Sequence, residues 1–401
     1  MEIFRPVWAE VDLGALTRNL RRIQACTRSE IMPVVKADAY GHGVIPVVAA
    51  LQKCGIKRFG VALLEEALEI RKVFSDLTIM IIGTTPKEYA ELIVREDILA
   101  GVFSFEQAAA LSRAALNLGK TAVIHLKIDT GMNRIGFKNL ELPEILRIAA
   151  LPNIYIEGIY THLAAADQSD LTFAKEQLCL FQELYDSLQA AGVHIPLRHA
   201  ANSAAILQLP EAHLEIVRPG ISLYGLSSSS SRTEGIIGFT SDHTKRLIAF
   251  SPSFEAKESI GLEPVMSWKA GISQVRTIAA GETVSYGRTF QAAYPTIVAT
   301  IPLGYADGLR RGLSNRGEVI VHGKRATIIG RVCMDQTMLE VSGISGVAAG
   351  DVVTILGRDG SEEIDAAEMA SWLDTISYEV ICGISKRVHR KYIGCSSPLQ
   401  P

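Results

Sequence analysis

The apolar run Ile31-Met32-Pro33-Val34-Val35 ends in Lys36, and Tyr40, Gly41, His42 and Gly43 follow closely. A lysine at the end of a buried strand faces a poorly hydrated mouth, where burial disfavours its ammonium form. The free amine is then a nucleophile toward an aldehyde. Further polar clusters close other apolar runs: Lys127, Asp129, Asn133 and Arg134 in HLKIDTGMNRIG, and Thr161, His162 and Asp167 in THLAAAD. Arg198, His199, Asn202 and Ser203 close a third, and Arg218, Gly220 and Ile221 a fourth. One such histidine or arginine alone is an ordinary hydrogen-bonded residue, but their recurrence at successive strand ends points to a shared site.

The elements that must position these groups repeat one theme over the first 225 residues. Short apolar strands occupy 31–35, 58–63, 78–83, 99–103, 122–128, 155–161, 196–200 and 215–225, and amphipathic helices lie between them. Ser104 to Gln107 has the form of a helix-capping box and Gly119 is placed to end that helix; a second helix is expected over 170–192. Strands alternating with helices pair in parallel, and eight units predict a closed (β/α)8 barrel of the TIM type. An open doubly wound sheet fits less well, because no G-x-G-x-x-G turn follows the first strand. Chemistry in such a barrel gathers where the strands end.

From Val265 the texture changes to glycine-punctuated strand-like runs, KAGISQVRTI, TIVATIPLG, EVIVHGKRATIIG and DVVTILG, which predict a mainly β C-terminal domain. The divisions expected are a barrel over 10–240, an extended linker over 241–264, a β domain over 265–392 joined by residues 1–9, and a flexible tail over 393–401. The stretch 227–264 is long and irregular, which makes it functional or partly mobile.

With 40 Lys and Arg against 43 Asp and Glu, the net charge of −3 and its even spread give no footprint for nucleic acid. The amino terminus lacks the apolar run of a secretory signal and no stretch is long enough to span a membrane, so a cytoplasmic protein is expected. Six scattered cysteines read as reduced thiols, and no metal site is expected. The Ser203 hydroxyl and backbone N–H groups near Gly220 and Ile221 can bind a phosphate where barrels commonly do. A lysine that condenses with an aldehyde, next to a phosphate cradle, suggests pyridoxal phosphate.

The run VVKADAYGHG closely resembles the cofactor-lysine motif of alanine racemases. The resemblance continues in the family's order through DTGMNRIGF, THLAAAD, HAANSA, VRPGISLYG, SYGRTF, GYADGLRR, GRVCMDQ and SYEV. It implies a barrel followed by a β domain, and racemisation of alanine by two bases, supplying D-alanine for peptidoglycan. Lys36 matches the cofactor lysine and base on the D face. Tyr286 matches the base on the L face, contributed by the other subunit of a homodimer. Tyr40, Ser203, Gly220, Ile221 and Tyr378 match phosphate ligands, with Asn202 beside them. His162 matches the residue beneath the ring, Arg134 and Met334 those meeting the substrate carboxylate, and Arg218 the arginine facing the pyridine nitrogen. A guanidinium only donates hydrogen bonds, so it leaves that nitrogen unprotonated, weakens the electron sink and favours racemisation over transamination.

Lys127 matches a lysine carbamylated in some relatives, where it orients the arginine at Arg134. His199 and Asp335 are expected in support, and Asp167, Tyr305, Arg311, Arg331 and Tyr378 along a narrow entry. A phenol is a poor base at its ordinary pKa of ~10, so a cationic His162, with Arg198 or another basic neighbour, is expected to assist Tyr286. The alternatives are a racemase of serine or of a broader range of amino acids, a barrel decarboxylase using the same cofactor, and a non-catalytic cofactor-binding protein. The presence of Tyr286 and Cys333-Met334-Asp335 argues against the last.

Overall fold

The computed structural model describes residues 5–227, 235–239, 246–250 and 260–394. Eight short parallel strands run in the expected order: Glu30–Ile31, Arg58–Val61, Thr78–Ile81, Leu99–Val102, Ala122–Lys127, Ile154–Tyr160, Leu197–His199 and Ile216–Val217. Strands two to seven pair in sequence. The ring closes because Val34 N donates to Pro219 O at 2.8 Å, Val35 N to Gly60 O at 2.8 Å, and Arg218 N to Ala201 O at 3.0 Å. Helices cover the outside. One, Phe105–Leu118, starts with Ser104 Oγ accepting from Gln107 N at 3.3 Å and stops at left-handed Gly119. Another spans Thr172–Ala190.

Two strands are shorter than the apolar runs suggest. Pro33 lacks an N–H, so the first strand reduces to Glu30–Ile31 and an isolated bridge at Val34. The run 215–225 yields only Ile216–Val217, because beyond Pro219 and Gly220 the chain turns into a short 3-10 segment, Ile221–Tyr224. KAGISQVRTI likewise divides into Met266–Gly271 and Gln274–Ile278.

The C-terminal half forms a ten-stranded, mostly antiparallel sheet. Its first member in sequence is Val7–Asp12, which lies antiparallel to Met266–Gly271 and parallel to His389–Ile393. Within 227–264, the described backbone includes an antiparallel hairpin of Gly235–Phe239 with Arg246–Phe250, which straddles position 240. The remaining parts of that segment, and most of the 393–401 tail, lie outside the described residues. Five cysteines are unpaired thiols, and Cys395 lies outside the described residues. No helix among the described residues is long and apolar enough to cross a membrane.

Met32, Met80, Leu99, Tyr160 and Ile216 pack together inside the barrel. Beside them the interior departs from an apolar filling: His125, Lys127, His199 and Arg218 are all buried there.

Candidate active site

A cavity of about 470 Å³ opens at the C-terminal ends of the strands, and Lys36, Tyr40, Arg134, His162, Ser203 and Arg218 stand in its wall. Asp167, Asn202, Gly220, Ile221 and Tyr378 also line it. This volume is within the range of small-molecule sites.

Lys36 begins an unusual turn. Ala37, Asp38, Ala39 and Tyr40 all take left-handed backbone angles, with φ of 53–54°, a conformation that costs non-glycine residues roughly 1–2 kcal/mol each. Local bonds hold it. Glu66 accepts from Ala37 N at 2.6 Å, Asp38 Oδ1 accepts from Val44 N at 2.7 Å, and buried His42 turns Nδ1 to the Ala39 and Tyr40 carbonyls at 3.0 Å. Gly43 is required for space as well as for its φ of +91°, since a Cβ would fall 1.9 Å from Tyr392 Oη. Backbone strain of this kind concentrates at functional sites. Burial and the neighbouring Arg134 charge lower the Lys36 pKa, which favours its free amine.

The phosphate-sized cradle lies across the same cavity. Ser203 Oγ accepts from Gly220 N at 2.9 Å and from Ser222 N at 3.3 Å. A Cβ on Gly220 would lie 2.6 Å from Tyr40 Oη, so glycine keeps this space open. Ser222 Oγ is buried without a hydrogen-bond partner among the described residues. Burial raises the Tyr40 phenol, and burial with nearby Asp167 raises that of Tyr378, so both remain donors at neutral pH. Glycine-opened space, an orphaned hydroxyl and two phenols suit a phosphate group. Ser222 was not anticipated from the sequence, although it follows directly on Ile221, which was. The Asn202 amide is engaged: Oδ1 caps Ala205 N at 3.0 Å and Nδ2 donates to Leu163 O at 3.2 Å.

Arg218 is 4% exposed. It donates to His199 Nδ1 at 2.9 Å, Thr161 O at 2.8 Å and Ala200 O at 3.1 Å. Burial lowers its pKa to about 10, so it remains a cation at neutral pH. Lys127 donates to Ile128 O at 2.9 Å behind the cavity, and burial together with Arg218 brings its pKa down to about 7. Asp129 Oδ1 accepts from Gly131 N at 3.1 Å and Asn133 N at 2.9 Å, forming the loop that presents Arg134.

Two expectations about charge are corrected. Burial and the charges of Arg218, Lys127, Arg134 and Lys36 hold His162 well below the ordinary histidine range, so it is neutral and no source of positive charge. Arg198 points away from the mouth because side chains alternate along a strand and His199 occupies the inward position. Its guanidinium pairs instead with Glu215 at 2.7 Å and Gln182 at 3.1 Å, over the Tyr185 ring.

The remaining predicted residues gather elsewhere, on loops of the β domain. Tyr286 is 72% exposed and follows Ser285, whose Oγ donates to Arg331 O at 2.6 Å. Tyr305 N donates to Cys333 O at 2.9 Å and Ala306 N to Met334 O at 3.1 Å, while Arg387 pairs with Asp335 at 2.7 Å. The Arg311 loop joins this cluster through Ser314 Oγ, which accepts from Val332 N at 3.0 Å, and Asn315 Oδ1, which accepts from Gly330 N at 2.6 Å. None of Tyr286, Met334, Tyr305, Arg311, Arg331 or Asp335 lines the barrel cavity of its own chain.

The class defined here is a two-domain protein in which a parallel barrel carries a strained lysine turn and an anion cradle, followed by a mainly β domain. Two family models, the alanine racemase N-terminal domain and the alanine racemase C-terminal domain, match residues 11–228 and 265–392. An alanine racemase of Carboxydothermus hydrogenoformans is 44% identical over 97% of this chain and all of its own length. Among solved structures, that of the Bacillus anthracis alanine racemase with bound L-Ala-P has a TM-score of 0.86 at 33% identity, covering 98% of this chain and 97% of that one. The alanine racemase of Bartonella henselae, with covalently bound pyridoxal phosphate, gives 0.82 at 27% identity, covering 97% and 99%. The chain belongs to the alanine racemase family.

Proposed function

We propose that this chain interconverts L- and D-alanine with pyridoxal phosphate in the barrel mouth, using Lys36 and the Tyr286 of a second copy as opposed bases. The observation that carries this reading is one cavity that unites the Lys36 turn, the Tyr40–Ser203–Gly220 cradle and the Arg218 guanidinium. When bound, the cofactor supplies an electron sink that acidifies the substrate Cα–H. Tyr40, Ser203, Gly220, Ile221 and Tyr378 would hold its phosphate, Arg218 would donate to its ring nitrogen, and neutral His162 would pack against its ring. Lys36 moves the proton at Cα on one face and Tyr286 on the other, while Arg134 and Met334 meet the carboxylate. Lys127, with a neutral-amine fraction near pH 7, is suited to carbamylation and so to orienting Arg134.

Exposure of Tyr286 outside its own chain's cavity supports a homodimer with shared sites. Asp167 and Tyr378, with Tyr305, Arg311 and Arg331 across the interface, then form the entry, and His199 and Asp335 act in support. We divide the chain into a barrel of 10–240, a linker of 241–264, a β domain of 265–392 with residues 1–9, and a tail of 393–401; the pairing of Val7–Asp12 within the C-terminal sheet supports the inclusion of the first residues. The reading includes a cytoplasmic setting and D-alanine supply for peptidoglycan. Incubating the purified, cofactor-saturated protein with L-alanine should yield D-alanine, scored by a D-specific oxidase. No D-alanine would overturn the proposal, and faster turnover of serine would move it to the broader racemase.

A further inference from the structure

A column of side chains crosses the barrel interior from its floor to the cavity. At the floor, Glu157 borders a second hollow of about 300 Å³, which is ringed by strand starts at Thr78, Leu99 and Ala122. Its Oε2 accepts from Arg58 Nη1 at 2.8 Å and meets His125 Nε2 at 2.9 Å. His125 Nδ1 lies 2.8 Å from His199 Nε2, and His199 Nδ1 lies 2.9 Å from Arg218 Nη1.

A single proton arrangement satisfies all these contacts. A guanidinium only donates, so His199 Nδ1 must accept. The proton of neutral His199 is therefore on Nε2, which donates to His125 Nδ1. His125 in turn carries its proton on Nε2 and donates to the Glu157 carboxylate. Protonating either ring sets two donors face to face. In agreement, burial and neighbouring cations push both rings below the ordinary histidine range. Burial alone would raise Glu157, but hydrogen bonds from His125 and Arg58 outweigh it and bring the carboxyl to about 2.

The barrel is shaped around this column. A Cβ on Gly158 would lie 2.5 Å from the His125 ring, and the strand register shifts between Ile124 and His125. Tyr160 stacks on His199 with centroids 4.8 Å apart and planes 9° apart, and its hydroxyl is anchored on Ile82 O at 3.0 Å.

We propose that Glu157 is a remote positioning residue that fixes, through His125 and His199, the lone pair presented to Arg218 and so aims the guanidinium at the cofactor. This rests on the reading of Arg218 as the group facing the ring nitrogen. Both short contacts fall on Glu157 Oε2, from Arg58 Nη1 at 2.8 Å and His125 Nε2 at 2.9 Å, so in Glu157→Gln an amide oxygen at that point keeps both. In Glu157→Leu the acceptor is gone and Arg58 is left to donate to His125 Nε2. Both imidazole protons then shift, and His199 Nδ1–H confronts a guanidinium N–H.

The test is long-range 1H–15N correlation on histidine-labelled holoenzyme, assigned with His125→Gln and His199→Asn. Wild type should show His199 protonated on Nε2. Glu157→Leu should lose that signature two side chains away, shift the visible absorption of the cofactor and raise its dissociation constant several-fold, while Glu157→Gln should keep the tautomer. His199 protonated on Nδ1 in wild type overturns the proposal, even if Glu157→Leu fails to fold. So does a folded Glu157→Leu with unchanged tautomer, absorption and affinity. Expected tautomers and the Glu157→Leu response in a protein that does not racemise alanine would leave the positioning role standing and defeat the racemase reading alone.

Discussion

The barrel mouth and the β-domain loops hold their polar groups in opposite ways. Arg218, Ser203 and Lys127 are buried, and each is fixed by bonds to neighbouring side chains or backbone. Tyr286, Tyr305 and Met334 are 72%, 43% and 53% exposed, on loops tied together through their backbone. Burying cations is expensive unless their donors are satisfied, so the mouth is specialised for an anionic ligand. The exposed phenol is held ready by its loop, as expected for a group that works on another surface.

The largest expected effect tests whether these two regions meet between copies. Lys36→Ala and Tyr286→Phe should each lower racemisation by about 10²–10⁴-fold, the usual worth of a general base or more. Co-refolded, they should form mixed dimers in which one site carries both lesions and the other none. Random assembly then restores about a quarter of wild-type activity. Mixed dimers without activity would place the tyrosine in its own chain's chemistry or outside the chemistry.

Gly220→Ala should damage the mouth alone, because its Cβ would meet Tyr40 Oη at 2.6 Å. Cofactor affinity should fall about tenfold, equivalent to about 1.4 kcal/mol, with dimerisation unchanged by sedimentation. Equal affinity would remove Gly220 from the cradle.

A third effect is thermodynamic. Lys127 has a folded pKa of about 7 against an ordinary 10.5, so the unfolded chain binds more protons between those values. Stability should therefore rise with pH across that window, by at most about 1.4 kcal/mol per pH unit from this residue. Urea midpoints at pH 7 and pH 9 should differ less in Lys127→Met than in wild type. An identical difference would mean that the amine is not held neutral by burial.

The smallest effect belongs to the loops. Ser285→Ala removes the 2.6 Å bond to Arg331 O, worth about 1 kcal/mol. It should lower turnover several-fold and leave cofactor affinity unchanged. A loss of affinity would show that the two regions are less separable than their exposure suggests.

The count of strands was legible because eight apolar runs alternate with amphipathic segments, and their ends were legible because polar residues cluster there. Prolines 33 and 219 blurred the boundaries by withdrawing ladder donors. The left-handed turn after Lys36 left no trace, since Ala37 to Tyr40 contain no glycine to signal positive φ. Arg198 was drawn into the site by its neighbour His199, although a period of two sends them to opposite faces. His125 and Glu157 were overlooked inside strand runs. The available signals were His125 two residues before Lys127 in an apolar strand, and a glycine directly after Glu157.

The strand Val7–Asp12, wedged between Met266–Gly271 and His389–Ile393, has a consequence for biosynthesis. A strand made before every barrel strand pairs with one made after them all. Such distant contacts form late, because their loop-closure entropy is paid before they reward it. The barrel strands can assemble as they emerge, while the β domain waits with its amino-terminal edge unpaired. A chain that stops short of residue 389 would leave that edge open for pairing with other chains.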